Sequence, residues 1–252
     1  MLKTILFIAS FLLIACNTVS KKDAEKSQLR MQLGVSQLEK QNYPLALKEL
    51  LAAEELNPND AVIQSYLGIV YYFLEKFNDS ISHYKRAIEL DPKYTDAKNS
   101  LARVYIEIQK YDLARKMISE VLADLTYPYA HKAYANLGLV EFNSQNYKAA
   151  IKNFKLVLQK SREDCLVQTY LGRSYMEIKQ LSTAQQQLEK AAEICKQTQQ
   201  DEGLYYLAIS LYRSGEKKQS LLKFKELLSF YPNGRYHEQA KKMIDLVDKG
   251  SL

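Results

Sequence analysis

Cys16, Cys165 and Cys195 are the residues of this sequence best suited to covalent chemistry, and His83, His131 and His237 are its most versatile acid–base and metal-binding groups. A thiol can attack, be alkylated, bind a soft metal or pair as a disulfide. An imidazole can move protons near neutral pH or hold zinc. Each use demands a spacing: two histidines one helical turn apart around a glutamate, two cysteines flanking two residues, or a serine framed by glycines. The chain holds no HExxH, no CxxC, no GxSxG and no glycine-rich phosphate loop, and its histidines are scattered. Acidic side chains are plentiful, but a charged helix face is ordinarily a solvated one. These patterns predict no catalytic residues, no metal site and no enzyme. The search for chemistry narrows to the cysteines.

Cys16 ends an apolar run. Residues 1–15, MLKTILFIASFLLIA, carry Lys3 and then about ten nearly unbroken apolar residues, too short for a stable membrane-spanning helix and matching a secretory signal peptide. The stretch LIAC, Leu13 to Cys16, resembles the lipobox of bacterial lipoproteins. That resemblance implies cleavage just before Cys16, a diacylglyceride on its sulfur and an acyl group on the new amine. Apart from that covalent lipid no cofactor is expected. At roughly 0.8 kcal/mol per buried methylene, several acyl chains anchor a protein where one does not. An ordinary signal peptide with an incidental cysteine is the alternative reading of the same residues.

Asn17 follows. Among enteric lipoproteins an aspartate at that place retains the protein at the inner membrane, so the resemblance implies the periplasmic face of a Gram-negative outer membrane. Losing Lys3 with the signal lowers the formal net charge of +6 by one, a mild balance. No block of five or more like charges offers a nucleic-acid arm.

Self-similarity organises the rest. Leu33-Gly34, Leu67-Gly68, Leu101-Ala102, Leu137-Gly138, Leu171-Gly172 and Leu207-Ala208 recur at spacings of 34, 34, 36, 34 and 36. Each pair is followed by a small residue on the next helix (Ala46, Ser80, Ala114, Ala150, Ala184, Ser220) and then a large one (Leu50, Tyr84, Ile118, Phe154, Leu188, Phe224). Pro58, Pro92 and Pro232 stand near repeat ends, and Tyr43, Phe77, Tyr111 and Tyr147 stand between paired helices. The pattern resembles the tetratricopeptide repeat (TPR), whose period is about 34 residues. Small residues facing each other let helices A and B of a repeat approach, and the large residue one turn on fills their seam.

The resemblance implies an all-α, right-handed superhelical solenoid of six TPR hairpins plus a C-terminal capping helix. Its boundaries are a signal peptide over 1–15, a lipidated N-terminus and polar tether over 16–26, and a repeat region over 27–234. The units are 27–60, 61–94, 95–130, 131–164, 165–200 and 201–234, with a capping helix and tail over 235–252. The two extra-long repeats place their additional residues near Tyr127-Pro128-Tyr129 and Gln199-Gln200, in turns. Ala240, Met243, Ile244 and Val247 give the cap one apolar face. Cys165 opens helix A of the fifth repeat and Cys195 closes its helix B, so antiparallel packing brings both to one end of that hairpin. A disulfide there and two buried free thiols are both open readings.

A TPR solenoid offers a concave wall built from helix A residues. By resemblance to the family, its wall places are held by Val62, Ile69, Tyr72 and Phe73 in the second repeat and Asn99 and Arg103 in the third. Lys132, Leu139 and Phe142 hold them in the fourth, and Arg173 in the fifth. Aromatic and aliphatic residues interleaved with arginine suit a binding hot spot, for an amphipathic helix or an extended segment. The same side chains could instead pack as core. Met31 and Val35 stand where a chaperone-binding TPR needs lysine and asparagine, so that use is not expected.

Lipobox, tether, six repeats and cap in 252 residues are together similar to the outer-membrane pilotins of type IV pili, the PilF/PilW/Tgl group. That resemblance implies a protein that binds secretin subunits, carries them to the outer membrane and promotes their multimerisation by raising their effective concentration. The expected partners are a secretin and, through the lipid, the membrane; no nucleic acid is expected, and the chain is expected to be monomeric. One rival is another envelope scaffold, docking a barrel-assembly complex or adapting peptidoglycan enzymes and proteases to their clients. A cell-wall enzyme or glycan-binding module, the other rival, would need a polar cleft with paired carboxylates.

Overall fold

Helix accounts for most of the residues from Lys21 onward. The computed structural model describes residues 19–248, which form thirteen helices and no strand. Twelve of them pair into six hairpins, the first three being α1 (Lys21–Glu39) with α2 (Tyr43–Leu56), α3 (Ala61–Phe73) with α4 (Phe77–Leu90), and α5 (Thr95–Glu107) with α6 (Tyr111–Ala123). The others are α7 (Ala130–Asn143) with α8 (Tyr147–Lys160), α9 (Cys165–Glu177) with α10 (Leu181–Gln197), and α11 (Glu202–Arg213) with α12 (Lys217–Phe230). Helix α13 (His237–Asp248) closes the stack. The signal peptide, Cys16 and the last four residues lie outside the described residues. No helix among the described residues is long and apolar enough to cross a membrane.

Within each hairpin the small-against-large pairing sets the approach of the two helices. Leu50, Tyr84, Ile118, Phe154, Leu188 and Phe224 are all buried, and the glycines Gly34, Gly68, Gly138 and Gly172 lie directly against four of them. At Gly138 a Cβ would lie 2.4 Å from Phe154 Cε1, so no larger residue fits without moving the ring. Ser80 and Ser220 use the same closeness for hydrogen bonds, donating to the carbonyls of Gly68 (2.7 Å) and Ala208 (2.8 Å) on the facing helix. These bonds satisfy two hydroxyls that the packing buries.

Every A–B turn is built alike. Gln41, Glu75, Gln109, Gln145, Lys179 and Gly215 all adopt positive φ, between 58° and 87°. The next residue's N–H bonds back five residues, as in Asn42 to Gln37 O (2.9 Å) and Lys110 to Tyr105 O (2.8 Å). This is a Schellman ending, and it favours glycine at the left-handed position. Five of the six turns use a non-glycine residue there, and Gly215 alone is free of that strain.

Two features depart from the expected outline. The tether is shorter than 16–26, because Ser20 caps α1 by accepting from Asp23 N (3.1 Å), and Ser27 is already buried, donating to Ala53 O (2.8 Å). A serine cap followed by an acid in the first turn starts a helix without any apolar periodicity. The extra residues of the fifth repeat lengthen α10 to 17 residues, against 14 for α8 and α12, instead of enlarging a turn alone. Those of the third repeat do form a loop, and Tyr127 within it is buried with its hydroxyl donating to Asp96 Oδ1 (2.6 Å). The added turn of α10 carries Cys195 to Cys165, to which it is bonded with the Cα atoms 4.9 Å apart.

Candidate partner-binding surface

The A helices α3, α5, α7, α9 and α11 present the wall, and their positions decide which of its residues are free. Asn99 and Leu139 are not free. Asn99 is buried, accepting from Asn136 Nδ2 at both its side-chain (3.0 Å) and backbone (3.2 Å) oxygens, and Leu139 belongs to the main hydrophobic core. The third and fourth A helices approach closely there, and a hydrogen-bonded pair with a core leucine seals their contact. Both residues are therefore removed from the binding set. Val62 and Lys132 lie toward solvent, the Lys132 ammonium 4.4 Å from the Tyr129 ring centroid.

Two aromatic clusters remain. In the first, the Phe73 ring is stacked on Tyr43 at 4.9 Å, Tyr72 meets Phe73 edge-on at 5.5 Å, and Phe77 lies 6.0 Å from Tyr72. Phe73 is 48% exposed, and Ile69 and Tyr72 are half-buried. The Tyr72 hydroxyl donates to Glu107 Oε1 (3.1 Å), which also accepts from Arg103 Nε (3.0 Å). Burial raises the Tyr72 phenol above its ordinary value, with Arg103 opposing and Glu107 reinforcing. For Arg103, burial alone would lower the guanidinium value, but Tyr72 and Glu107 outweigh it and push it higher. The trio is thus a fixed polar rim beside an exposed ring.

The second cluster closes around Arg173. Its guanidinium lies 4.8, 4.4 and 4.1 Å from the ring centroids of Phe142, Tyr170 and Tyr206, and Nη1 donates to Glu202 Oε1 (3.0 Å). The Arg173 side chain is only 17% exposed and that of Glu202 15%. Phe142 also meets Tyr147 and Tyr170 edge-on, and Tyr205 stacks on Tyr236 at 4.5 Å, tying the cluster to the segment that leads into α13. Arg173 and Phe142 are therefore structural members of the wall. They hold adjacent repeats together and present little to a partner.

Sequence reading missed Tyr43 and Phe77 as members of the first cluster, and Tyr170, Tyr206 and Glu202 as members of the second. For the former a signal existed: an aromatic at the first place of helix B recurs in four repeats. Among the described residues no group of three histidine, cysteine or acidic side chains could hold a metal ion. The surface can grip an apolar segment.

Known proteins place this geometry in context. Tetratricopeptide-repeat profiles match residues 74–137, 131–162 and 202–234. Over 145 residues the chain is 25% identical to the type IV pilus assembly protein PilF of Pseudomonas aeruginosa, covering 56% of this chain and 58% of that protein. It is 26% identical over 124 residues to superkiller protein 3 of Schizosaccharomyces pombe, covering 47% of this chain and 9% of that protein. The chain thus spans less than two thirds of the length of either relative.

Among solved structures, PilF of Pseudomonas aeruginosa superposes with a TM-score of 0.72 at 20% identity, covering 88% of this chain and 100% of that one. PilW, a widely conserved type IV pilus biogenesis factor, gives 0.77 at 17% identity over 84% and 97%. The Cut9–Hcn1 assembly of the APC/C gives 0.78 at 17% identity over 88% and 43%. At these identities the likeness is one of fold. The chain carries tetratricopeptide repeats and folds as a TPR solenoid similar to PilF and PilW.

Proposed function

We propose that the chain is an outer-membrane lipoprotein, anchored through Cys16 on the periplasmic side, that binds secretin subunits and promotes their multimerisation in type IV pilus biogenesis. The observation that carries this reading is coverage. The solenoid matches all of PilF and nearly all of PilW end to end, so the likeness extends along the whole stack of repeats. The exposed Phe73–Tyr43 stack with its Tyr72–Arg103–Glu107 rim supplies the grip, suited to an amphipathic helix or an extended segment. A disulfide between Cys165 and Cys195 suits an oxidising compartment. Anchored subunits meet at raised effective concentration, which favours a ring without catalysis. Cells lacking the gene should lose heat- and detergent-resistant secretin multimers while keeping secretin monomers. Normal multimers at the outer membrane would sink the reading. A Cys16→Ala variant would separate transport by the lipid from grip by the wall.

A second reading is an envelope TPR scaffold with another client, such as a barrel-assembly complex or peptidoglycan enzymes and proteases. It draws on the Cut9–Hcn1 superposition, as good as that of PilW although the match covers under half of that chain. Co-purification from membranes with wild type and Phe73→Glu as paired baits distinguishes the two by the identity of the protein lost.

A further inference from the structure

Counted from the repeat starts at 27, 61, 95, 131, 165 and 201, the third and seventh places lie where helix A meets the repeat before it. Ile63, Leu67, Ala97, Leu101, Ala133, Val167, Leu171 and Leu207 occupy these places in the second to sixth repeats and are each at most 3% exposed, and Leu137 is partly buried. Leu29 and Leu33 hold the same two places on α1, where they are 58% and 43% exposed. No helix precedes α1 among the described residues. At the other end α13 covers the stack with Ala240, Met243 and Ile244. A solenoid needs a polar outer face on each terminal repeat to stay soluble. Among the described residues, one end of the stack has its cap and the other shows two leucines.

The charges on that stripe identify what the leucines meet. Lys22, Lys26, Leu29 and Leu33 follow one another at three- and four-residue steps, the spacing of a single helix face, and all four are exposed. Glu25 lies at its edge. Lysines flanking exposed leucines make the composition of a helix lying on an anionic bilayer. Between Cys16 and α1 stand only residues 17–20, a reach of roughly 15 Å when extended. A two-fold pairing of two copies through the same stripe would set Lys22 and Lys26 against their counterparts if the helices ran parallel, and against the leucines of the other copy if they ran antiparallel.

We propose that the N-terminal end of the solenoid is a membrane-contact surface. Leu29 and Leu33 enter the headgroup region, and Lys22 and Lys26 face lipid phosphates, so the solenoid is held at a fixed angle to the bilayer. This rests on the lipid-anchor reading of Cys16, because the lipid delivers α1 to the surface. The consequence is orientation: the Phe73–Tyr43 stack, which joins the first and second repeats, stands close to the membrane where an inserting partner would pass.

The chain contains no tryptophan, so Leu33→Trp introduces a unique reporter. The full chain, purified from membranes and checked for lipid on Cys16 by mass, is reconstituted into phosphatidylcholine–phosphatidylglycerol vesicles whose acyl chains are brominated. Emission of the introduced indole should shift to the blue and lose about half its intensity to bromine, as for a face buried at the headgroup boundary. A Leu222→Trp control, at a position 67% exposed on α12, should not be quenched. Adding Lys22→Glu and Lys26→Glu to Leu33→Trp should return the emission toward the unquenched level.

With lipid on Cys16 and the Leu33→Trp indole unquenched, the contact surface is overturned while the anchor stands. A blue shift that grows with protein concentration but ignores bromine would assign the face to a second copy and also overturn it. Without lipid, quenching would uphold the surface and sink the anchor; no quenching would sink both.

Discussion

In the N-terminal half of the wall, Phe73 rests on Tyr43 with one face open, and the charges of the rim beside it, Arg103 and Glu107, are bonded to each other and to Tyr72. In the C-terminal half, similar rings enclose Arg173, whose charge is taken up by Glu202 and by three aromatic faces at once. Position in a TPR pattern does not distinguish a residue that binds from one that braces. The difference lies in the neighbouring repeat. Tyr206 on α11 closes over Arg173, whereas α5, whose sequence holds one aromatic, the buried Tyr105, leaves Phe73 half exposed. The same half that holds Arg173 is also stapled by the Cys165–Cys195 disulfide. One half is rigid and closed, and the other keeps an apolar face available.

The largest expected effect tests that rigidity. Replacing Cys165 and Cys195 together with alanine frees a loop of sequence separation 30. Chain entropy values that constraint at about 3.5 kcal/mol, read as a lower urea midpoint. An unchanged midpoint would mean the closed half owes its stability to packing alone. Arg173→Met comes next. It keeps the bulk among the rings but leaves the Glu202 carboxylate, 15% exposed, without its partner. Breaking a largely buried pair this way should cost about 3 kcal/mol, with the lost hydrogen-exchange protection centred on α9 and α11. Full stability in this variant would dissolve the distinction between the clusters and return Arg173 to the candidate binding surface.

Phe73→Glu probes the open half. The ring is half exposed, so the helical circular-dichroism signal should persist while partner affinity falls by about 2 kcal/mol, roughly thirty-fold in Kd. Tyr72→Phe sharpens the test by keeping the ring and removing only the bond to Glu107. If both variants bind normally, the grip lies elsewhere on the solenoid.

The repeat architecture was legible because small and large residues that must meet across a seam recur at fixed spacing. Gly138 against Phe154 is the clearest pair. The start of α1 was not legible, since a serine cap and a buried Ser27 carry no apolar period. The left-handed turns escaped for a related reason: glutamine, glutamate and lysine fill five of them, and none announces positive φ. On the wall, Val62, Phe73 and Lys132 are exposed, while Asn99 and Leu139 are buried. A wall place describes direction within one repeat. Burial depends on how closely the next helix A approaches, and between α5 and α7 the Asn99–Asn136 pair marks a contact that no single repeat encodes.

The smallest effect is a pH response, and it too should divide the molecule. His83 on α4 stacks on Tyr71 at 5.1 Å, and its Nδ1 lies 2.7 Å from Gln64 Oε1. Gln64 Nε2 donates to Glu54 Oε1 (2.8 Å), so the amide oxygen faces the ring and the imidazole donates from Nδ1. Burial lowers the His83 value below the ordinary 6.5, although Glu54 and Asp79 pull the other way. Between the folded and unfolded values the unfolded chain binds more protons, so stability falls as pH drops below 6.5 through that window. Above it the effect vanishes. Hydrogen-exchange protection factors, which correct for the slower intrinsic rate in acid, should therefore fall from neutral to mildly acidic pH in α3 and α4 before α9 and α11, and His83→Asn should abolish the difference. Equal acid loosening of both halves, or an unchanged response in His83→Asn, would show that the open half is not the acid-sensitive one.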